Sequence, residues 1–391
     1  MNIANIIIQL QTILNEIDDP ETLMIVSKTI EKLNISEITV IERSAQLPSL
    51  PLSENGHIYL DESSEDLYYN TGTKWYRFPV TFGDVYCAWG FNVGGQLGDG
   101  TTVDKSSPVS GIGGIANWSQ VSAGRRHSLG VTSSGIAWAW GSNGNGRLGD
   151  GTPDDKSSPV SVIGGITDWS QVSAGTFHSL GVTSSGIAWA WGFNDQGRLG
   201  DGTTVTKSSP VSVIGGITNW SQVDAGGIHS LGVTSSGIAW AWGYNVFGQL
   251  GDGTTVTKSS PVSVIGGITD WSQVSAGWFH NLGVTSSGIA WAWGFNGYGR
   301  LGDGTTVNKS SPVSVIGGIT DWAQVSAGDR HSLGVTSSGI AWAWGNNGQG
   351  QLGDGTTVVK SSPVSVIGGI TNWSQVSASA GSSHSLGLKA S

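Results

Sequence analysis

Residues 131–141 read Val-Thr-Ser-Ser-Gly-Ile-Ala-Trp-Ala-Trp-Gly, and the same string returns at residues 182–192, 233–243, 284–294 and 335–345. Its closing Trp-Gly pair recurs at Trp89, Trp140, Trp191, Trp242, Trp293 and Trp344, each 51 residues after the last. In Ile136-Ala-Trp-Ala-Trp140 large and small side chains alternate, and a strand sends alternate side chains to opposite faces. One sheet can therefore press an aromatic face onto the alanine face of its neighbour. A unit of this length is too long for one helical solenoid turn and fits one four-stranded propeller blade. The expected fold is an all-β, six-bladed propeller over residues 84–391. The first copy enters at Val85-Tyr-Cys-Ala-Trp89 and the last ends at His384-Ser-Leu-Gly-Leu388. Pairing the two chain ends in one composite closing blade would leave no open sheet edge.

Outside the repeats the chain changes character. Ile3, Ile7, Leu10, Leu14 and Ile17 follow a 4-3-4-3 spacing, the apolar seam of a coiled coil. Asp19-Pro20 restarts a second helix, and Leu23, Val26, Ile30 and Leu33 continue the stripe. Residues 1–35 are thus expected to form a short α-helical stem. Two turns of isoleucine-rich stripe do not make a stable fold alone, so the stem reads as an oligomerisation or docking module, and isoleucine at both seam positions favours a homotrimer. Residues 36–83 begin as a proline-containing linker. They end in a small β meander, in which His57–Asp61, Asp66–Tyr69 and Lys74–Phe78 alternate around the turn Asn70-Thr-Gly-Thr73.

Composition narrows the function classes. The chain has 391 residues with 62 Gly, 19 Trp and 12% charged residues, the profile of a turn-dense β protein. No apolar run reaches the roughly 18 residues of a membrane-spanning helix, and the N-terminus lacks the basic start of a secretion signal. The lone Cys87 has no internal disulfide partner, and its place in the closing strand predicts a buried, inert thiol. Residues 1–83 hold 12 acids and 5 bases, and residues 84–391 hold 16 Asp against 13 Lys or Arg. A propeller so close to neutral has no evident basic stripe, which counts against nucleic-acid binding and against a charged partner face.

Two motifs in each unit carry a family resemblance. Trp-Gly-x-Asn-x-x-Gly-Gln-Leu-Gly-x-Gly, as in Trp242 to Gly253, and Ala-Gly-x-x-His-Ser-Leu-Gly, as in Ala225 to Gly232, resemble the RCC1 repeat. The resemblance covers six tandem units and implies an RCC1-like β-propeller, although members of that family usually have seven blades. The front end, through Thr22–Leu33, Ile58–Asp61 and Gly72–Tyr76, resembles a stem module of phage virion proteins. That second resemblance implies a tail, baseplate or head-fibre component that joins other virion proteins through residues 1–83 and is exposed on the particle.

No catalytic constellation is evident. His127, His178, His229, His280, His331 and His384 hold one place in each unit, so symmetry spreads them round the ring instead of gathering them at a metal. Their expected role is structural, as is that of Asp99, Asp150, Asp201, Asp252, Asp303 and Asp354 in the Leu-Gly-Asp-Gly turns. Nearly all the aspartates recur by repeat; Asp195, Asp224 and Asp329 are exceptions, and they fall in different units. Neither an enzyme activity nor a metal or cofactor is expected.

Positions that differ between near-identical copies are free of the shared fold. They concentrate between Ala-Gly and His (Arg125-Arg126, Thr176-Phe177, Gly227-Ile228, Trp278-Phe279, Asp329-Arg330, Ser382-Ser383) and after Trp-Gly (among them Phe193, Tyr244, Phe247, Phe295 and Tyr298). Aromatics and arginine are the palette of binding hot spots and of sugar stacking. The candidate recognition residues are therefore Arg125, Arg126, Phe177, Tyr244, Phe247, Trp278, Phe279, Phe295, Tyr298 and Arg330. Together these expectations describe a non-enzymatic virion protein whose propeller meets a host-surface glycan or protein, without nucleic acid or membrane insertion. Two alternatives stand beside it: a purely structural capsid or baseplate decoration, and a cytoplasmic scaffold or regulator that binds a protein such as a GTPase.

Overall fold

The structure, a computed structural model, describes residues 58–61, 66–70, 75–78, 86–378 and 383–390. The chain divides into two units, of which the first holds β1 (Ile58–Asp61), β2 (Asp66–Asn70) and β3 (Trp75–Phe78). They form the expected antiparallel meander, with Ile58 opposite Tyr69 and Leu67 opposite Phe78. The stem residues Ile3, Ile7, Leu10, Leu14 and Ile17 and the linker lie outside the described residues.

The second unit begins with β4 (Cys87–Gly90) and β5 (Lys105–Ser110). The first complete sheet is β6 (Trp118–Ala123), β7 (His127–Thr132), β8 (Ala137–Gly141) and β9 (Lys156–Ser161), paired antiparallel in that order. Four further four-stranded sheets repeat it: β10–β13 (169–212), β14–β17 (220–263), β18–β21 (271–314) and β22–β25 (322–365). The chain closes with β26 (Trp373–Ala378) and β27 (Ser385–Lys389).

The first strands of neighbouring sheets touch, and a glutamine on each stitches them together. Gln171 Nε2 donates to the Val223 carbonyl at 3.0 Å while its Oε1 accepts from the Val223 amide at 2.9 Å. These strands surround a channel of about 440 Å³ lined largely by serine and alanine, among them Ser122, Ser173, Ser275, Ser326 and Ser377.

A buried tryptophan joins each sheet to the one before it. Trp191 Nε1 donates to the Arg147 carbonyl at 2.8 Å, and Trp242, Trp293 and Trp344 do the same to Arg198, Gln249 and Arg300. The indole lies against the alanine face of the previous sheet, as the alternation predicted. One such core holds Leu180, Val182, Ala188 and Ala190 of one sheet with Trp220, Val223 and Trp242 of the next. Burying one indole removes about 150–250 Å² from water, about 4–6 kcal/mol as an upper bound, largely offset by the entropy of ordering the chain. Glycine is required where the indole arrives. Gly200 has φ +69°, and a Cβ there would lie 2.8 Å from Trp242 Nε1.

The composite closing blade is a correction. The strands at the two ends of the repeat region form two separate two-stranded sheets, β4–β5 and β26–β27, and among the described residues no hydrogen-bonded ladder joins β27 to β4. The reason lies at Tyr86, which occupies the place of the alanines Ala137 and Ala188 in complete units. Its ring stacks on Trp140 at 4.7 Å and meets Trp118 edge-on at 5.4 Å. A tyrosine ring thus stands against Trp140 where complete units place a small alanine, and Leu386 and Leu388 of β27 stay exposed. Cys87 is also corrected: on this strand, paired only with β5, its thiol is exposed, not buried.

Removing the joining indole should cost most. Trp242→Ala is expected to destabilise the propeller by about 3–5 kcal/mol in urea unfolding. Gly200→Ala, which forces a Cβ against the same ring in a left-handed conformation, should cost about 1–3 kcal/mol.

Candidate interaction site

The two variable segments of each unit are neighbours. The Ser142 amide donates to the Arg126 carbonyl, Phe193 to Phe177, Tyr244 to Ile228, Phe295 to Phe279 and Asn346 to Arg330. The pairing follows from the ladder, because the histidine opening the second strand faces the glycine closing the third, as His178 faces Gly192. Both loops therefore leave the same end of every sheet. Further backbone bonds, such as Trp278 N to Gly328 O, link the first set of loops from sheet to sheet.

On this end the aromatic candidates meet. Phe193, Phe177 and Trp278 make edge contacts at 6.1 and 6.3 Å, and Trp278 continues to Phe279 at 6.1 Å. Phe279 meets Phe247 at 5.5 Å and Phe247 meets Phe295 at 4.8 Å, with Tyr244 against Phe247. Three sheets thus supply one continuous, half-buried aromatic ladder. Arg125 lies 5.3 Å over Trp278, although the two belong to units three repeats apart. Tyr298 joins through Arg300, whose guanidinium lies over both Tyr298 and Phe295. Arg126 and Arg330 stand exposed on the same loops, and Arg330 pairs with Asp329 at 3.3 Å.

The sequence reading missed Arg147, Arg198 and Arg300. They fill the second place of Gly-Arg-Leu-Gly, where Gln96, Gln249 and Gln351 stand in the other units. That alternation was the available signal. Each is buried, with its guanidinium under the rings and an Nη1 donating to Thr176 O at 3.1 Å, Gly227 O at 3.4 Å or Asp329 O at 2.6 Å. Burial lowers all three from the ordinary arginine value, Arg300 to about 10. The missing charged face is thus corrected: the fold gathers arginines that look scattered in the chain.

The three exceptional aspartates do not converge. Asp195 pairs with Arg198 and Asp329 with Arg330, whereas Asp224 lines the channel. There it accepts from Ser173 Oγ and the Ala276 amide, both at 2.8 Å, while burial raises its carboxyl. The turn aspartates are structural; Asp150 accepts from Asn143 and Thr152 and forms an ion pair with Lys156.

The histidines link units. His127 and His178 Nε2 bond Ser179 and Ser230 Oγ at 2.9 and 2.8 Å, and those hydroxyls donate to the Arg147 and Arg198 carbonyls. The serine proton is thereby committed, so Nε2 must donate. His229, facing Asn281 Oδ1, must donate as well. Nδ1 is buried without a protein partner in His127, His178, His229, His280 and His331, so a second proton would find no acceptor. Burial, helped by neighbouring arginine, lowers His127 to about 3. Burial lowers His229 and His331 to about 4 and takes His178 and His280 well below the ordinary value.

Residues 80–387 match the RCC1-like domain. The chain belongs to that family. It is 34% identical over 287 residues to the ultraviolet-B receptor UVR8 of Arabidopsis thaliana, covering 72% of this chain and 64% of that one. Human WBSCR16 shares the fold with a TM-score of 0.70 at 22% identity, over 81% of this chain and 90% of that chain. Saccharomyces cerevisiae Prp20p does so at 0.52 and 20%, over 80% and 93%. These relatives of the RCC1-like domain are eukaryotic cellular proteins, which overturns the virion expectation. Virion partners through residues 1–83, a host-surface receptor, a particle location, the decoration alternative and the homotrimer are corrected with it. The stem resemblance that suggested a virion rested on short motifs, and the homotrimer on isoleucine at both seam positions.

The histidines set a pH dependence. Their folded-state values lie below the ordinary 6.5, so their contribution is complete above about pH 6.5 and is lost as pH falls toward about 4. In that window the unfolded chain binds more protons than the folded one. Urea midpoints should fall steeply from pH 7 to pH 4.5. A midpoint that stays flat over that range would contradict the assignment.

Proposed function

We propose that the propeller is a non-enzymatic cellular interaction scaffold or regulator that holds a protein partner on the end built by its variable loops. Six repeat units build it, as five four-stranded sheets and two two-stranded ones. The observation that carries this reading is the aromatic ladder through Phe177, Trp278, Phe279, Phe247 and Phe295. Its members are positions the shared fold leaves free. Loops under no constraint drift to small polar residues, whereas half-exposed aromatics with Arg125 and Arg330 beside them match the make-up of protein hot spots.

The relatives support the same class. UVR8 is named a receptor, and the Prp20p structure is described together with that protein's binding to Gsp1p and histones. A rigid ring loses little conformational freedom on binding, so a few anchors suffice for useful affinity.

The test is Trp278→Ser combined with Phe279→Ser in the full chain. Partner capture from native cells, quantified by cross-linking to the loop residues, should fall by at least tenfold, about 1.4 kcal/mol, with unfolding unchanged within about 1 kcal/mol. Undiminished cross-linking by a folded double variant would remove this face from the function.

A further inference from the structure

The fold sorts its cations by type. Lys105, Lys156, Lys207, Lys309 and Lys360 each lie 3.1 to 3.8 Å from the aspartate of their own Leu-Gly-Asp-Gly turn, at the start of an outer strand. Those charges are neutralised locally. All six arginines of residues 84–391 fall instead within or just after the two variable segments: Arg125, Arg126, Arg147, Arg198, Arg300 and Arg330. The same segments contain only two carboxylates, Asp195 and Asp329, each in contact with an arginine.

The fold does not require this concentration. The tryptophan joint uses the backbone carbonyl of Arg147, Arg198 or Arg300, and Gln249 offers the same carbonyl at 3.1 Å to Trp293. Glutamine therefore satisfies the structure in half of the units. Like charges collected on one surface repel one another, as Arg126 does Arg147. An arrangement that costs stability and is not needed for folding points to a ligand that repays it.

We propose that this face receives an acidic polypeptide segment, with carboxylates against Arg125, Arg126 and Arg330 and an apolar side chain on the Phe177–Trp278–Phe279 ladder. The inference rests on the reading that this face holds a protein partner, and it names that partner's chemistry. Guanidinium forks match carboxylates in two-point contacts. The buried arginines beneath the rings add positive potential without presenting further forks. Three exposed arginines fit a short acidic segment. A nucleic-acid strand tracking across the face would need more phosphate contacts.

The experiment measures anisotropy of fluorescein-labelled poly-L-glutamate with the full chain at low and physiological ionic strength. Binding is expected, weakening as salt rises. Arg126→Glu and Arg330→Glu should each reduce it about tenfold, while Lys389→Glu, the same change of charge elsewhere, should not. No binding, or an equal loss in Lys389→Glu, would overturn the inference. So would tighter binding of a single-stranded DNA of matched charge through the same arginines, or a dimer in ultracentrifugation that Arg126→Glu dissociates. If Trp278→Ser with Phe279→Ser abolishes partner cross-linking while poly-L-glutamate fails to bind, the interaction face stands and only its acidic partner falls.

Discussion

One hydrogen bond per unit organises the rest: an indole N–H, carried into the previous sheet, donating to a backbone carbonyl. Because the acceptor is backbone, the side chain at that residue is released from the fold and becomes Arg147 in one unit and Gln249 in another. The indole's bulk in turn dictates its surroundings. Alanines such as Ala188 and Ala190 leave room for it, and Gly200 turns beneath it where no Cβ fits. Tyr86 shows the rule from the other side, since a large residue at the small position stacks on Trp140, and β27 pairs with β26 alone.

This division explains how a nearly invariant repeat supports a particular surface. The inner glutamines, the buried histidines and the turn aspartates all bond between or within units and recur because every unit needs them. The variable side chains of the loops at one end carry no such duty, because those loops bond from unit to unit through their backbone. Aromatics from neighbouring units therefore meet there, and charges accumulate there, without disturbing the joints beneath.

Much of this was legible in the chain. The 51-residue interval gave the sheets, the Ile-Ala-Trp-Ala-Trp alternation gave the packed faces, and comparison of copies gave Trp278 and Phe279. What was not legible depended on contacts across units. No spacing reveals that Arg125 reaches Trp278 three units away, or that His127 bonds a serine 52 residues on. The charge count of residues 84–391 concealed the arginines, because lysine–aspartate pairs at the outer strands average them out. The virion reading failed for a different reason: it rested on short motifs in the front end, which weigh little against a family match across residues 80–387.

The most direct test of the account is hydroxyl-radical footprinting of the full chain in complex with its cellular partner. Protection of Trp278, Phe279 and Phe295 is expected, with the opposite-end loops between the second and third strands, such as that of the exposed Ile340, left reactive. Protection confined to those opposite loops, with Trp278 still oxidised at its free rate, would show that the variable loops are not where this propeller binds.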